Sequence, residues 1–176
     1  MKITWIRAAA AALALALAAV GCKKGPEPPK DIQAYAADTL DGVLMPGQVS
    51  LDKAVSADGN GSLKVATEVP ITVSLYEVGF PGVEYANLIY RAKLKTQDFG
   101  GDAYLQMVVH FPGGGEVTAQ NYQNALRGTA DWTTSETSLR LQKGQKPDSV
   151  KLNLVVNGVG TVWIDDLHLI KAPLAE

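Results

Sequence analysis

One cysteine, two histidines and three tryptophans in 176 residues leave few groups with which to do chemistry. A chain with a single thiol forms no internal disulfide. The histidines, His110 and His168, stand too far apart for a metal-ligand spacing, and no serine elbow motif accompanies them. Gly113 to Gly115 lacks the Lys-Ser or Lys-Thr of a phosphate loop and reads as a hairpin tip. The carboxylates Glu68, Glu77, Glu84, Glu116 and Glu136 are scattered, with nothing to pair two of them as a glycosidase dyad. Catalysis therefore finds little support, and the chain is expected not to be an enzyme. Charge of one sign is lacking too: 16 basic and 18 acidic residues give a net charge of -2. Without a strong field there is nothing to recruit nucleic acid or an anionic membrane surface. No internal repeat is present.

The one long apolar run is Ala8 to Val20, preceded by Lys2 and Arg7 and followed by Gly21-Cys22. That order of charge, apolar core and small residues is a signal peptide's. The run is short for a bilayer crossing, and Lys23-Lys24-Gly25-Pro26 follows at once, which disfavours a retained transmembrane helix. Ala19-Val20-Gly21-Cys22 resembles the lipobox of bacterial lipoproteins, with Ala19 where that family prefers leucine. The resemblance implies cleavage before Cys22 and lipid on its thiol, with the lipid as the tie to a membrane partner. The alternative is a plain secretory signal cut near the alanines that leaves a free thiol. Lys23 after the cysteine, by resemblance to enterobacterial lipoproteins, points to the outer membrane of a bacterial cell envelope. The expected division is a signal peptide at 1–21, a lipidated N-terminus and extended tether at 22–36, and one domain at 37–173.

Beyond the tether the apolar pattern has period two. Val69 to Val78 sets Ile71, Val73 and Leu75 against Thr72, Ser74 and Tyr76. Similar alternation covers Leu88 to Leu94, Ala103 to Phe111, Ser138 to Gln142, Val150 to Val156 and Thr161 to Ile170. Each run reads as a half-buried strand. Glycine, proline, asparagine and aspartate separate them at Asp58-Gly59-Asn60-Gly61, Phe80-Pro81-Gly82, Phe99-Gly100-Gly101-Asp102, Pro112 to Gly115 and Gly144 to Asp148, which read as turns. Ala119 to Leu126 is the one stretch that reads as a helical turn. Strands with one polar face must pair their apolar faces, so the expected fold class is all-β, a two-sheet antiparallel β-sandwich.

Several strings in fixed order carry a resemblance: Gly61-Ser62-Leu63-Lys64-Val65, Tyr90-Arg91-Ala92-Lys93, Asp102 to Met107, Gly128 to Trp132, Val150-Lys151-Leu152 and Gly160 to Leu167. They resemble galactose-binding-like jelly rolls, in particular carbohydrate-binding modules of bacterial xylanases and glucanases, across roughly Ala37 to Lys171. The resemblance implies a jelly roll of eight or nine strands. It also implies one structural calcium, with Asp58, Asn60 and Ser62 in a loop and Asp165 or Asp166 in the last strand as matching positions. The competing reading is that one of the paired aspartates caps a turn through backbone N–H groups.

Sugar recognition needs aromatic faces together with amides and charged groups. On the polar faces those are Tyr76, Arg91, Tyr104, Gln106, His110, Arg140 and Asn153. If they share a concave sheet they line a groove; otherwise they form a solvated face. Trp132 and Trp163 are expected to pack the core or seal its edge. The functional expectation is a non-catalytic, lipid-anchored protein whose jelly roll binds a ligand, carbohydrate first. The alternative is an envelope assembly factor that contacts another protein.

Overall fold

The computed structural model describes residues 27–174. The expected signal peptide and Cys22 lie outside these residues. Eight strands follow in chain order: β1 (Lys30–Tyr35), β2 (Ser50–Asp52), β3 (Ser62–Thr67), β4 (Ile71–Gly79), β5 (Asn87–Phe111), β6 (Gly115–Gln120), β7 (Leu126–Arg140) and β8 (Ser149–Ala172). Every pairing among them is antiparallel. Single 3-10 turns occupy Pro46–Gln48 and Tyr122–Asn124, the latter where a helical turn is expected.

The 25 residues of β5 and the 24 of β8 pair with one another from Asn87↔Ala172 to His110↔Ser149. A straight strand of that length would run about 80 Å, far beyond the span of a domain this size. The two strands must bend, and glycine lets them do so together. A β-carbon on Gly101 would lie 2.2 Å from the carbonyl oxygen of Asn157, and one on Gly158 would lie 2.5 Å from that of Gly100. Only backbones without side chains cross this closely. The register shifts here, between Gln97 and Gly100. The Phe99 to Asp102 stretch, expected as a turn, is therefore a corner inside one strand, and four expected strands merge into two long ones.

The corner divides one hydrogen-bonded sheet into two halves. In the first half, β5 residues 87–97 pair with β7 on one side and with the end of β8 on the other, which is flanked by β1 and by β3 with β2. In the second half, β5 residues 103–111 pair with β6 and with the start of β8, which pairs with β4. The apolar side of each half belongs to one core, containing Leu63, Leu88, Tyr90 and Ile164 from the first and Leu75, Leu105, Met107 and Leu154 from the second. The halves meet face to face: Tyr35 of β1 stacks on Tyr76 of β4, ring centroids 3.8 Å apart, and the Leu44 N–H donates to the Leu75 carbonyl at 2.9 Å. Burying each leucine contributes about 2 kcal/mol. This is the expected all-β sandwich, built from a single folded sheet.

One boundary moves. β1 pairs with Leu167 to Lys171 of β8, so Lys30–Tyr35, assigned by sequence to the tether, is part of the domain. Its pattern of short polar and apolar residues is too brief for periodicity to distinguish from linker.

Candidate functional site

The outer face of the second half carries side chains in rows that run across four strands. Pairing aligns Ser74 of β4, Asn153 of β8, Gln106 of β5 and Gln120 of β6. These amides form a ladder: Asn153 Nδ2 donates to Gln106 Oε1 at 3.0 Å, and Gln106 Nε2 donates to Gln120 Oε1 at 3.2 Å. The neighbouring row aligns Thr72, Val155 and Tyr104. Asn153 and Val155 are 5% and 7% exposed although they point away from the core. Flanking side chains must rise around them, and these two residues are the floor of a depression.

Asn153 Oδ1 is buried in that floor with no hydrogen-bond partner. A buried amide oxygen left unpaired costs about 1–3 kcal/mol, so a donor from outside the protein is favoured there. One row along, a shallow, open depression of about 340 Å³ is lined by Pro70, Ile71, Thr72, Tyr104, Val155 and Asn157, among others. Tyr104 is braced edge-on by Tyr122, centroids 5.5 Å apart at 88°. The Tyr122 hydroxyl donates to Asp102 Oδ2 at 3.1 Å, and Arg127 pairs with Asp102 Oδ1. An aromatic wall, an amide floor and an unpaired acceptor together suit a polyhydroxylated ligand.

Of the residues singled out by sequence, the structure brings Tyr104, Gln106 and Asn153 together. His110 lies on the same face of β5, two rows along, where its Nδ1 sits 2.5 Å from Asp148 Oδ1. Arg91 and Arg140 do not join them: both belong to the first half, where Arg91 pairs with Glu136 at 3.0 Å and Arg140 aligns with Asn87. Tyr76 is also corrected. A bulge at Leu75 advances the register so that Tyr76 aligns with the core residue Leu152, 3% exposed, and burial pushes its hydroxyl pKa up to about 12. Gln120 and Tyr122 were missed. The alternation of Thr118 and Gln120 about Ala119 was the available signal, masked by its short length.

The expected cation ligands lie on the other half, under the loop between β2 and β3. Asp165 Oδ2 accepts the Ala57 N–H at 2.7 Å and its Oδ1 accepts the Asp166 N–H at 2.8 Å. Burial raises this carboxyl above the ordinary aspartate range, against those hydrogen bonds. Asp58 accepts from the backbone N–H and side-chain amide of Asn60, both at 2.8 Å. The Ser62 hydroxyl donates to the Val55 carbonyl at 2.6 Å. Asp166, at φ 53°, turns to His168 and Lys93. Asn60's carbonyl accepts from Lys53 Nζ at 3.1 Å. Among the described residues no three acidic, histidine or cysteine side chains converge as a metal set. The carboxylates are engaged by protein donors, as the turn-capping reading of Asp165 anticipates, and this donor set does not fit a calcium ion.

Trp163 closes the same region. It is 4% exposed, lies beneath the Lys64 ammonium at 5.4 Å, and its Nε1 donates to Asp52 Oδ2 at 2.9 Å. Contrary to the expectation from sequence, it does not pack the core or its edge: it alternates with the core residues Val162 and Ile164 and lies on the outward face between Lys64 and Lys95, where β2 covers it.

No protein-family model matches the chain, and no curated protein matches its sequence. Solved structures do match. The CBM22-1 xylan-binding domain of Paenibacillus barcinonensis Xyn10C superposes with a TM-score of 0.61 at 12% identity, covering 86% of this chain and all of that one. The CBM22-1 and GH10 modules of Clostridium thermocellum Xyn10B, complexed with xylohexaose, give 0.58 at 13% identity over 81% of this chain and 28% of that one. A family 16 carbohydrate-binding module gives 0.53 at 18% identity over 77% of this chain and 94% of that one. At such identities the likeness speaks of backbone alone, and its conclusion is that this chain folds as the jelly roll of carbohydrate-binding modules.

Proposed function

We propose that this chain is a non-catalytic carbohydrate-binding protein, held by lipid on Cys22 to a membrane of the bacterial envelope, the outer membrane where one is present. Its ligand lies along the outer face of the second half, over Asn153, Gln106 and Tyr104. The observation that carries this reading is the unpaired, buried Asn153 Oδ1 in the floor beside Tyr104. A sugar hydroxyl is a donor of the right size to meet it while a pyranose face rests on the tyrosine ring. Xylan and its oligosaccharides are the first ligands to test, since one of the similar structures is a xylan-binding domain and another is complexed with xylohexaose. Affinity electrophoresis and titration calorimetry against a panel of soluble polysaccharides test the site. Saturable binding lost in Asn153→Leu supports it; binding unchanged in that variant rejects it. The lipid anchor is tested separately: Cys22→Ala should abolish labelling by a palmitate analogue in bacteria and release the protein from membranes.

A second reading, contact with another envelope protein, has its own observation. Phe80 and Tyr85 are 84% and 60% exposed in the segment between β4 and β5, an apolar pair with no role in the core. Cross-linking in cells from positions 80 and 85, set against a blank glycan panel, would favour that reading.

A further inference from the structure

We propose that the ammonium of Lys53 is the built-in cation that holds the loop between β2 and β3 in place, so that the fold needs no divalent metal there. Lys53 Nζ donates to the Asp38 carbonyl at 2.5 Å and to the Asn60 carbonyl at 3.1 Å. These carbonyls lie 15 and 7 residues away in sequence, so one ammonium ties the stretch after β1 to the loop before β3. Charge-assisted bonds to carbonyl oxygens are roughly twice as strong as neutral ones.

The surroundings are shaped for the lysine. Gly61, at φ +131°, leaves open the space in which a β-carbon would lie 3.1 Å from Lys53 Cδ and 3.3 Å from its Nζ. A side chain there would crowd the lysine as well as strain the backbone. The anionic groups of the loop are satisfied from inside the chain. Asp52 Oδ1 accepts the Ala54 and Val55 N–H groups, and its Oδ2 accepts the Trp163 indole. Asp165 closes the loop from the sheet through the Ala57 N–H. A bound divalent cation would have to displace the ammonium from the carbonyls and the N–H donors from the carboxylates. The inference is independent of the glycan reading, since the loop covers the other half of the sandwich.

The experiment is thermal unfolding of the purified full chain in detergent, with chelator and with millimolar calcium, alongside Lys53→Met and Lys53→Arg and hydrogen exchange of the Ala57 and Asn60 amides. The expected result is a wild-type midpoint indifferent to calcium and chelator. In Lys53→Met the midpoint falls by about 2–6 °C and the two amides exchange about tenfold faster, while Lys53→Arg retains most of the protection. A rise of several degrees in the wild-type midpoint with calcium, accompanied by one equivalent bound in calorimetry, overturns the proposal. So does a Lys53→Met variant whose midpoint and amide exchange both match the wild type.

Discussion

Gly101 and Asn157 touch backbone to backbone: a β-carbon on the glycine would stand 2.2 Å from the asparagine's carbonyl oxygen and 2.6 Å from the Cα of Gly158. The contact is the hinge of the sandwich, because both long strands change halves at this crossing. Gly101→Ala should therefore cost more than about 3 kcal/mol, measured by urea unfolding, since the obstacle is backbone that has no rotamer to yield. Gly113→Ala, at the β5–β6 hairpin tip with open space around it and φ +97°, should cost only about 1 kcal/mol. Equal costs at the two positions would contradict the corner.

Tyr104→Ala and Asn153→Leu should each weaken glycan binding by about 1–3 kcal/mol, roughly fivefold to 150-fold, by removing the stacking ring or the unpaired acceptor. Arg91→Ala should leave affinity unchanged, because its guanidinium lies on the first half beside Glu136. Calorimetric titration of all three variants separates the two faces. A loss confined to Arg91→Ala would move the site to the opposite half.

The stack of Tyr35 on Tyr76, with rings 7° from parallel, joins the first strand to the far half. A double-mutant cycle through Tyr35→Leu and Tyr76→Leu should show a coupling of about 1 kcal/mol in chemical denaturation. A coupling near zero would mean that β1 docks without this contact, closer to the tether that its sequence implies.

Asp52 is held below the ordinary carboxylate range, first by the Trp163 indole N–H and further by the Ala54 and Val55 amides and Lys64. Its unfolded pKa is about 4, so its stabilisation is complete above that pH and is lost as pH falls through the lower folded value. Acid titration should therefore loosen β2 from Trp163 below about pH 4. Trp163 fluorescence, isolated in a Trp5→Phe, Trp132→Phe background, should change over that window and the change should vanish in Asp52→Asn. A transition near neutral pH would point to a different group.

The common orientation of part of the candidate site was legible because strand alternation sorts residues by side. Tyr104, Gln106 and Asn153 alternate with Leu105, Met107, Leu152 and Leu154, so their common orientation follows once both runs are strands. Tyr76 failed because Leu75 is a bulge, and one inserted residue inverts every later assignment on the strand. Arg91 stands apart from Tyr104, Gln106 and Asn153 for a different reason. Its orientation away from the core was foreseen, but alternation within a strand does not say which half of a folded sheet the strand occupies.

Period-two patterning, turn residues and the scarcity of reactive side chains were enough to specify an all-β domain with inward and outward faces, because burial of a pleated strand is a local, repeating condition. Which outward faces coincide is a matter of pairing between distant segments. The glycines at 100 and 101 read as a turn, and only the crossing of their backbone with that of Gly158 made them a corner. The same holds for the cation: Lys53 is an ordinary surface lysine in the chain, and only the approach of Asp38 and Asn60 carbonyls from separate segments gives its ammonium a place to bind.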